Sequence, residues 1–216
     1  MGLIVYGASL SPFVRKVRAC LLEKQLDYTL ELILPRNQPD WYYQINPLGR
    51  IPALRDDGFD VCDSSVICAY LEQKYPETVA LCGNNAEEMA RIRWFEKYAD
   101  YEVAPLATFT VFFNRVLAKS MGLPCDEAAV QKALEKLVVH FDYLEQQLAE
   151  NSYFVGNRFT LADIAIVTQW VNFSYAKEGL DATRWPQLAA HKERIWQRDS
   201  WQSLLADEAK MLMRLG

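Results

Sequence analysis

Four short segments in the first third of the chain carry side chains suited to holding a small zwitterionic ligand. Ser11-Pro12 has the form of a helix start, with serine as N-cap and proline at the first helical position. A hydroxyl there either caps the helix or donates a hydrogen bond to an anion at the positive end of the helix dipole. Ser9 and Tyr6 lie close enough in sequence to compete for that role. Ile51-Pro52 stands directly before a short apolar run, a place suited to a cis peptide bond. With Pro52 cis, Ile51 presents its N–H and C=O outward to a peptide-like ligand, as an added strand would. Asp63-Ser64 puts an acid and a hydroxyl at the start of another helix. The serine and the free backbone N–H groups there can hold a carboxylate, and the aspartate can hold an ammonium. Arg50, beside the proline turn, is a candidate partner for a second carboxylate.

These segments need a scaffold, and residues 1–80 read as mixed α/β. Leu3-Ile4-Val5-Tyr6 is a short apolar run suited to a buried strand, and a helix is expected from Ser11 to about Gln25. Tyr28 to Leu34 reads as a second strand, 35–39 as a loop, and Asp40 to Tyr43 as the start of a short helix. Ile51–Arg55 and Phe59–Cys62 flank the turn Asp56-Asp57-Gly58, a hairpin signal. Ser64 to Tyr75 reads as a helix that Pro76 ends. From residue 87 to 216 the periodicity is helical, with helices expected at about 87–119, 126–149, 161–176, 187–198 and 200–213. Phe159-Thr160-Leu161-Ala162-Asp163-Ile164 carries a capping box, Thr160 to Asp163, with Phe159 and Ile164 at the staple positions. The expected fold is thus an α/β domain over 1–80 followed by an all-α domain over 87–216.

Composition narrows the partners. The 216 residues carry 23 basic and 28 acidic side chains, a formal charge of −5, with both the α/β part and the helical part mildly acidic. No basic face is available for sequence-independent phosphate binding, so nucleic acid is not an expected partner. No apolar run reaches membrane-spanning length, and the first residues lack a signal-peptide pattern, so a soluble cytoplasmic protein is expected. The five cysteines form no C-x-x-C pair and read as free thiols. The two histidines, His140 and His191, have no metal-binding spacing, and no metal is expected.

Ser11-Pro12-Phe13-Val14-Arg15-Lys16-Val17, the run Asn46 to Leu54 (N-P-L-G-R-I-P-A-L) and Asp63 to Ile67 (D-S-S-V-I) together resemble the cytosolic glutathione S-transferases, in order and spacing. The resemblance covers essentially the whole chain and extends to the capping box. It implies a thioredoxin-like N-terminal domain, a cis Pro52, pairing of Ile51 with the cysteinyl backbone of glutathione, and a grip on the γ-glutamyl end by Asp63 and Ser64. Ser11 matches the activating serine of the theta-, phi- and tau-like members. Tyr6 imitates the tyrosine of other members, but its flanks do not follow their pattern. Two departures, Asp63 for the more usual Glu and Arg50 for Gln or Lys, keep the needed chemistry. Glutathione is then a co-substrate, and the chain is expected to form a homodimer, with Asp100 near the neighbouring subunit's glutathione.

The implied task is to turn a thiol with a pKa of about 8.5 into a thiolate near neutral pH. A hydroxyl donor and a helix N-terminus can supply that. Serine at position 11 cannot form a mixed disulfide, which disfavours thiol transfer through the protein, and Cys20 is expected to pack inward. A hydrophobic electrophile is expected between the domains, against Leu10, Phe13 and the stripe Phe109, Phe112 and Phe113, with Tyr98 and Tyr101 a few turns earlier. The resulting activity is conjugation of glutathione, with peroxide reduction as a related reaction. One alternative is a non-catalytic regulatory protein of the same fold. Another is a zeta-like isomerase, although that class has a Ser-Ser-Cys cluster where this chain has Ser9-Leu10-Ser11-Pro12.

Overall fold

A computed structural model describes residues 2–35, 37–149 and 151–213. Within the loop expected at 35–39, Arg36 lies outside the described residues. The chain opens β1 (Leu3–Tyr6), α1 (Pro12–Glu23), β2 (Tyr28–Glu31), α2 (Asp40–Ile45), β3 (Ala53–Asp56), β4 (Phe59–Cys62), α3 (Ser64–Lys74). The four strands form one sheet in the order β2-β1-β3-β4, with β2 parallel to β1 and the other pairs antiparallel. Side chains alternate across it, as a two-residue period requires. Leu3, Val5 and Leu54 join the main core with α1 and α3, whereas Tyr6 and Ala53 face Tyr42 of α2 on the other side.

β2 is shorter than the apolar run suggests. Its ladder with β1 ends at the Tyr6–Glu31 pair, and beyond it Leu32 and Leu34 are more than half exposed while only Ile33 turns inward. β1 passes into α1 through Gly7, where a Cβ would collide with the Val14 side chain. The close approach of the turn to the helix leaves room for glycine alone.

The helical part contains α4 (Ala86–Tyr98), α5 (Glu127–Leu148), α6 (Leu161–Tyr175), α7 (Pro186–Trp196) and α8 (Asp199–Met213). Thirteen residues of α6, Leu161 through Phe173, are buried. A helix apolar on all sides belongs in the middle of a core, and α6 packs against both α1 and α4. Its start shows the expected capping box between Thr160 and Asp163.

The long helix expected over 87–119 is present but not regular. After α4 it continues to Ser120 through two stretches of π-helix, Ala99–Val103 and Ala107–Leu117. The Ala104 N–H bonds the Ala99 carbonyl and the Ala118 N–H bonds the Phe113 carbonyl, each five residues back. Pro105 sits between the two stretches and has no N–H to give to the ladder. The Thr110 hydroxyl instead donates to the Pro105 carbonyl at 2.8 Å.

Candidate active site

Strand register brings the singled-out segments together. Tyr6 pairs with Ala53 and Ala53 with Cys62, so the last residues of β1 and β4 lie beside the first of β3. The loop 7–11, the turn 50–52 and the start of α3 at Asp63-Ser64 therefore emerge from one end of the sheet. A one-residue slip in either pairing would turn that strand's side chains to the other face and break this alignment.

Ser11 is the N-cap of α1. Its Oγ accepts from the Val14 N–H at 3.4 Å, and its carbonyl accepts from the Arg15 N–H at 2.9 Å. Accepting through oxygen leaves the hydroxyl proton available to an anion at the helix end. Ser11 is half-buried, whereas Ser9 is 4% exposed. Tyr6 lies on the α2 face, its ring 5.6 Å from Trp41 and 6.2 Å from Tyr42. Burial pushes its hydroxyl above the ordinary range, with Arg55 pulling it back in part.

The Ile51–Pro52 bond is cis. β3 starts only at Ala53, so Ile51 stands outside the ladder, half-buried, next to an exposed Arg50. The turn is held from beneath by Asn46, which opens the N-P-L-G-R-I-P-A-L run, and by Tyr42 and Gln38, which motif spacing does not single out. The Arg50 carbonyl accepts from the Tyr42 hydroxyl at 2.7 Å and from Asn46 Nδ2 at 2.8 Å. The Gly49 carbonyl accepts from Gln38 Nε2 at 2.6 Å. The aromatic character of α2 hinted at the Tyr42 contact, since Tyr42 must bury a ring and find a partner for its hydroxyl.

Asp63 caps α3 from an uncommon backbone conformation, φ 73° and ψ 128°. A non-glycine residue held there is strained by about 1–3 kcal/mol, a cost that clusters at ligand sites. Its Oδ1 accepts from the Ser65 and Val66 N–H groups at 2.9 and 3.2 Å. The other oxygen has no protein partner among the described residues, and the residue is exposed. Ser64 is buried at 4% exposure.

Beneath these helix starts lies a buried charge cluster. Lys16 of α1, fully buried, reaches Asp100 at 2.7 Å and Glu96 at 3.2 Å, and its Nζ is 3.4 Å from the Ser65 hydroxyl. Burial pulls the Lys16 ammonium down, but Asp100 and Glu96 outweigh it and hold it above its ordinary value. Asp100 is thus engaged within its own chain, and burial raises its carboxyl against the pull of Lys16.

The aromatic stripe divides. Phe13 and Phe109 meet with ring centroids 6.0 Å apart, joining α1 to the widened helix, and Phe109 is 56% exposed. Phe113 is half-buried and Leu10 is buried at 8%. Phe112 does not line the surface between the domains. It is 1% exposed and packs toward Tyr175 in the core. An i, i+3, i+4 pattern marks one face only at 3.6 residues per turn, and the π stretch breaks that period.

Two concavities lie elsewhere, one of about 420 Å³ against Tyr101, Leu106 and His140, the other of about 480 Å³ against Arg91, Tyr153 and Phe154. Neither touches Ser11. Among the described residues no group of three or more His, Cys, Asp or Glu could hold a metal ion, and no helix is long and apolar enough to cross a membrane. Cys20, Cys68 and Cys82 are buried, Cys62 is half-buried and Cys125 exposed, all free.

Residues 5–79 match the family model of the glutathione S-transferase N-terminal domain, and residues 99–199 that of the C-terminal domain. Glutathione S-transferase 3 of Zea mays is 34% identical over 212 residues, covering 94% of this chain and 92% of its own length. Glutathione S-transferase F10 of Arabidopsis thaliana is 29% identical over 213 residues, covering 95% and 97%. A solved glutathione S-transferase from Rhodospirillum rubrum superposes with a TM-score of 0.87 at 26% identity, over 94% of this chain and 91% of that one. With one model matched on the sheet and the other on the helices that follow it, this chain belongs to the glutathione S-transferase family.

Proposed function

We propose that the protein activates the thiol of glutathione for attack on hydrophobic electrophiles. The observation that carries this is the row Tyr6–Ala53–Cys62, which delivers a helix-start hydroxyl, a cis-proline turn and an acid–serine helix start to one edge. Ser11 donates to the thiolate, aided by the N-terminal end of α1. Lowering a thiol by about two pKa units takes about 3 kcal/mol, within reach of one charge-assisted hydrogen bond and a helix dipole. Ile51 pairs with the cysteinyl backbone, Asp63 and Ser64 hold the γ-glutamyl ammonium and carboxylate, and Arg50 meets the glycyl carboxylate. The thiolate then displaces a leaving group from an electrophile lodged against Leu10, Phe13, Phe109 and Phe113, or takes oxygen from a peroxide.

Placement in the cytoplasm and a role in detoxification follow from this chemistry as part of the same proposal. So does a homodimer, supported by exposed Phe59 and Val66 on β4 and α3 and by exposed Trp94 and Tyr101 on the long helix. Light scattering at micromolar concentration tests the dimer.

The activity is tested by retention on immobilised glutathione and by conjugation to an aryl halide, for the wild type and Ser11→Ala. Retention and turnover are expected in the wild type, with turnover lost about 100-fold or more in Ser11→Ala. A wild type that neither binds nor turns over refutes the enzyme reading. Full activity in Ser11→Ala moves thiol activation to Ser9 or Tyr6.

A further inference from the structure

The two peptide carbonyls that flank Ser11 are both held by α6. Asn172 Nδ2 donates to the Leu10 carbonyl at 3.3 Å, and the Thr168 hydroxyl donates to the Pro12 carbonyl at 2.9 Å. Neither donor has a fixed direction of its own, since an amide can turn over and a hydroxyl can rotate. Arg15 removes that freedom. Its Nη2 donates to Asn172 Oδ1 at 2.8 Å, which leaves the Asn172 NH2 to face Leu10. Its Nη1 donates to the Thr168 carbonyl at 2.7 Å and approaches Thr168 Oγ1 at 3.3 Å, so the hydroxyl proton goes to Pro12.

The guanidinium is set in turn by Glu208 of α8. Arg15 Nε and Nη2 bond Glu208 Oε1 and Oε2 at 2.7 and 2.6 Å, a two-point fork, and the Tyr175 hydroxyl donates to the same carboxylate at 3.0 Å. Arg15, Thr168, Asn172 and Glu208 are all 0% exposed. A fully buried ion pair is a poor stability device, because desolvation offsets most of its attraction. What the fork does deliver is direction, since a whole edge of the planar guanidinium is fixed at once, which aims Nη1 at Thr168.

The geometry points to Glu208 as a positioning residue for Ser11, acting through Arg15 on the Asn172 and Thr168 donors that fix the Leu10–Pro12 peptide. This inference rests on the proposed role of Ser11 in thiol activation. Glu208 itself touches neither Ser11 nor any part of the site edge. It orients the loop from the far side of α1, so that the serine hydroxyl meets the sulfur rather than turning with a mobile loop. A displacement of a hydrogen-bond donor by a fraction of an ångström weakens it steeply, and the thiolate is where that loss registers.

The test compares Glu208→Gln, Thr168→Val and Thr168→Ser with the wild type, using glutathione and an aryl halide across pH 5.5–9. The readouts are the pH profile of kcat/KM, the thiolate absorbance of bound glutathione and the KM for glutathione. In Glu208→Gln and Thr168→Val the apparent pKa of the bound thiol is expected to rise by about one unit, so activity below that pKa falls about tenfold. The KM for glutathione should stay within about twofold, because Ile51, Asp63 and Ser64 are untouched. Thr168→Ser, which keeps the hydroxyl, should restore the wild-type profile.

Wild-type pH profiles in folded Glu208→Gln and Thr168→Val, with only a lowered melting temperature, would overturn the inference and leave a structural ion pair. If Glu208→Gln does not fold, the Thr168 pair decides alone, and an unchanged profile in Thr168→Val overturns it equally. Loss of activity in Ser11→Ala alongside those unchanged profiles leaves the proposed function standing. Full activity in Ser11→Ala removes both.

Discussion

The Tyr42 hydroxyl donates to the Arg50 carbonyl at 2.7 Å, tying α2 to the peptide one residue before the cis-proline bond. Tyr42 is 0% exposed, and burial pushes its hydroxyl far above the ordinary range, so it stays a donor at every working pH. Tyr42→Phe removes one of the two donors to this carbonyl and leaves Asn46 as the other. The expected cost is about 1 kcal/mol of stability. Because the loosened turn carries Arg50 and Ile51, the KM for glutathione should rise several-fold while kcat holds. A denaturation curve and a glutathione titration of rate check both; an unchanged KM would detach α2 from the ligand turn.

Phe109 and Phe112 should behave as opposites despite their helical spacing. Phe112→Ala opens a core cavity and is expected to cost about 3–5 kcal/mol, with little preference among electrophiles in the remaining folded fraction. Phe109→Ala, from a surface position, should cost less than about 1 kcal/mol. Its effect belongs on the KM for bulky aromatic electrophiles. Urea midpoints together with a panel of small and large electrophiles separate the two, and matched stability losses would contradict the split.

Asp163 joins more than its own capping box. Its Oδ2 accepts from the Thr160 N–H at 2.8 Å, while Oδ1 accepts from the Phe154 N–H at 3.0 Å and lies 2.8 Å from His191 Nε2. Asp163→Ala strands these donors, together with the Thr160 hydroxyl that also donates to Oδ2 at 3.1 Å, in a buried place, and a loss of about 3–5 kcal/mol is expected. Thr160→Ala, which removes only the hydroxyl, should cost about 1 kcal/mol. Equal losses in the two variants, measured at constant denaturant slope, would show that the box alone matters.

His140 gives the fold an acid sensitivity. Its Nδ1 is 2.7 Å from the Tyr98 hydroxyl, and burial lowers its pKa below the ordinary 6.5, with Glu102 opposing in part. The unfolded chain therefore takes up this proton first as pH falls. The stability His140 contributes is complete above about 6.5 and declines as pH drops through the folded-state value. In His140→Gln the loss of stability on acidification below about pH 6.5 should be shallower than in the wild type. Parallel curves for the two proteins would remove His140 from the account.

Which parts were legible in the sequence follows the range of the interactions. Ser11-Pro12, Asp63-Ser64 and the Thr160–Asp163 box are read within four residues, because a cap bonds its own first turn. The β3–β4 hairpin also follows from a short-range turn signal between two apolar runs, whereas the order of the four strands does not. The supports of the site were not legible. Arg15 and Glu208 are 193 positions apart, and Arg15 and Thr168 are 153 apart, so no local pattern links them. Arg15 and Lys16 belong to the run that carries the resemblance, but nothing local shows that both are fully buried, each meeting a partner from a later helix. The fate of Phe112 was hidden for a different reason. Its spacing was sound for an α-helix, and a proline four residues before Phe109 changed the period.

That widened helix has a consequence for how the chain tolerates changes in length. Where each turn closes over five residues rather than four, the segment holds residues in excess of what its rise requires. Deleting one residue between 107 and 117 can restore ordinary turns without breaking the helix. Everything C-terminal to the deletion would then swing by about 100° around the axis, the rotation of one α-helical residue. Phe113 would exchange places with the buried face, and Arg115 would leave Glu127 and Glu178, which it now bridges. Such a deletion would therefore change which side chains face the gap between the domains, without any substitution being needed.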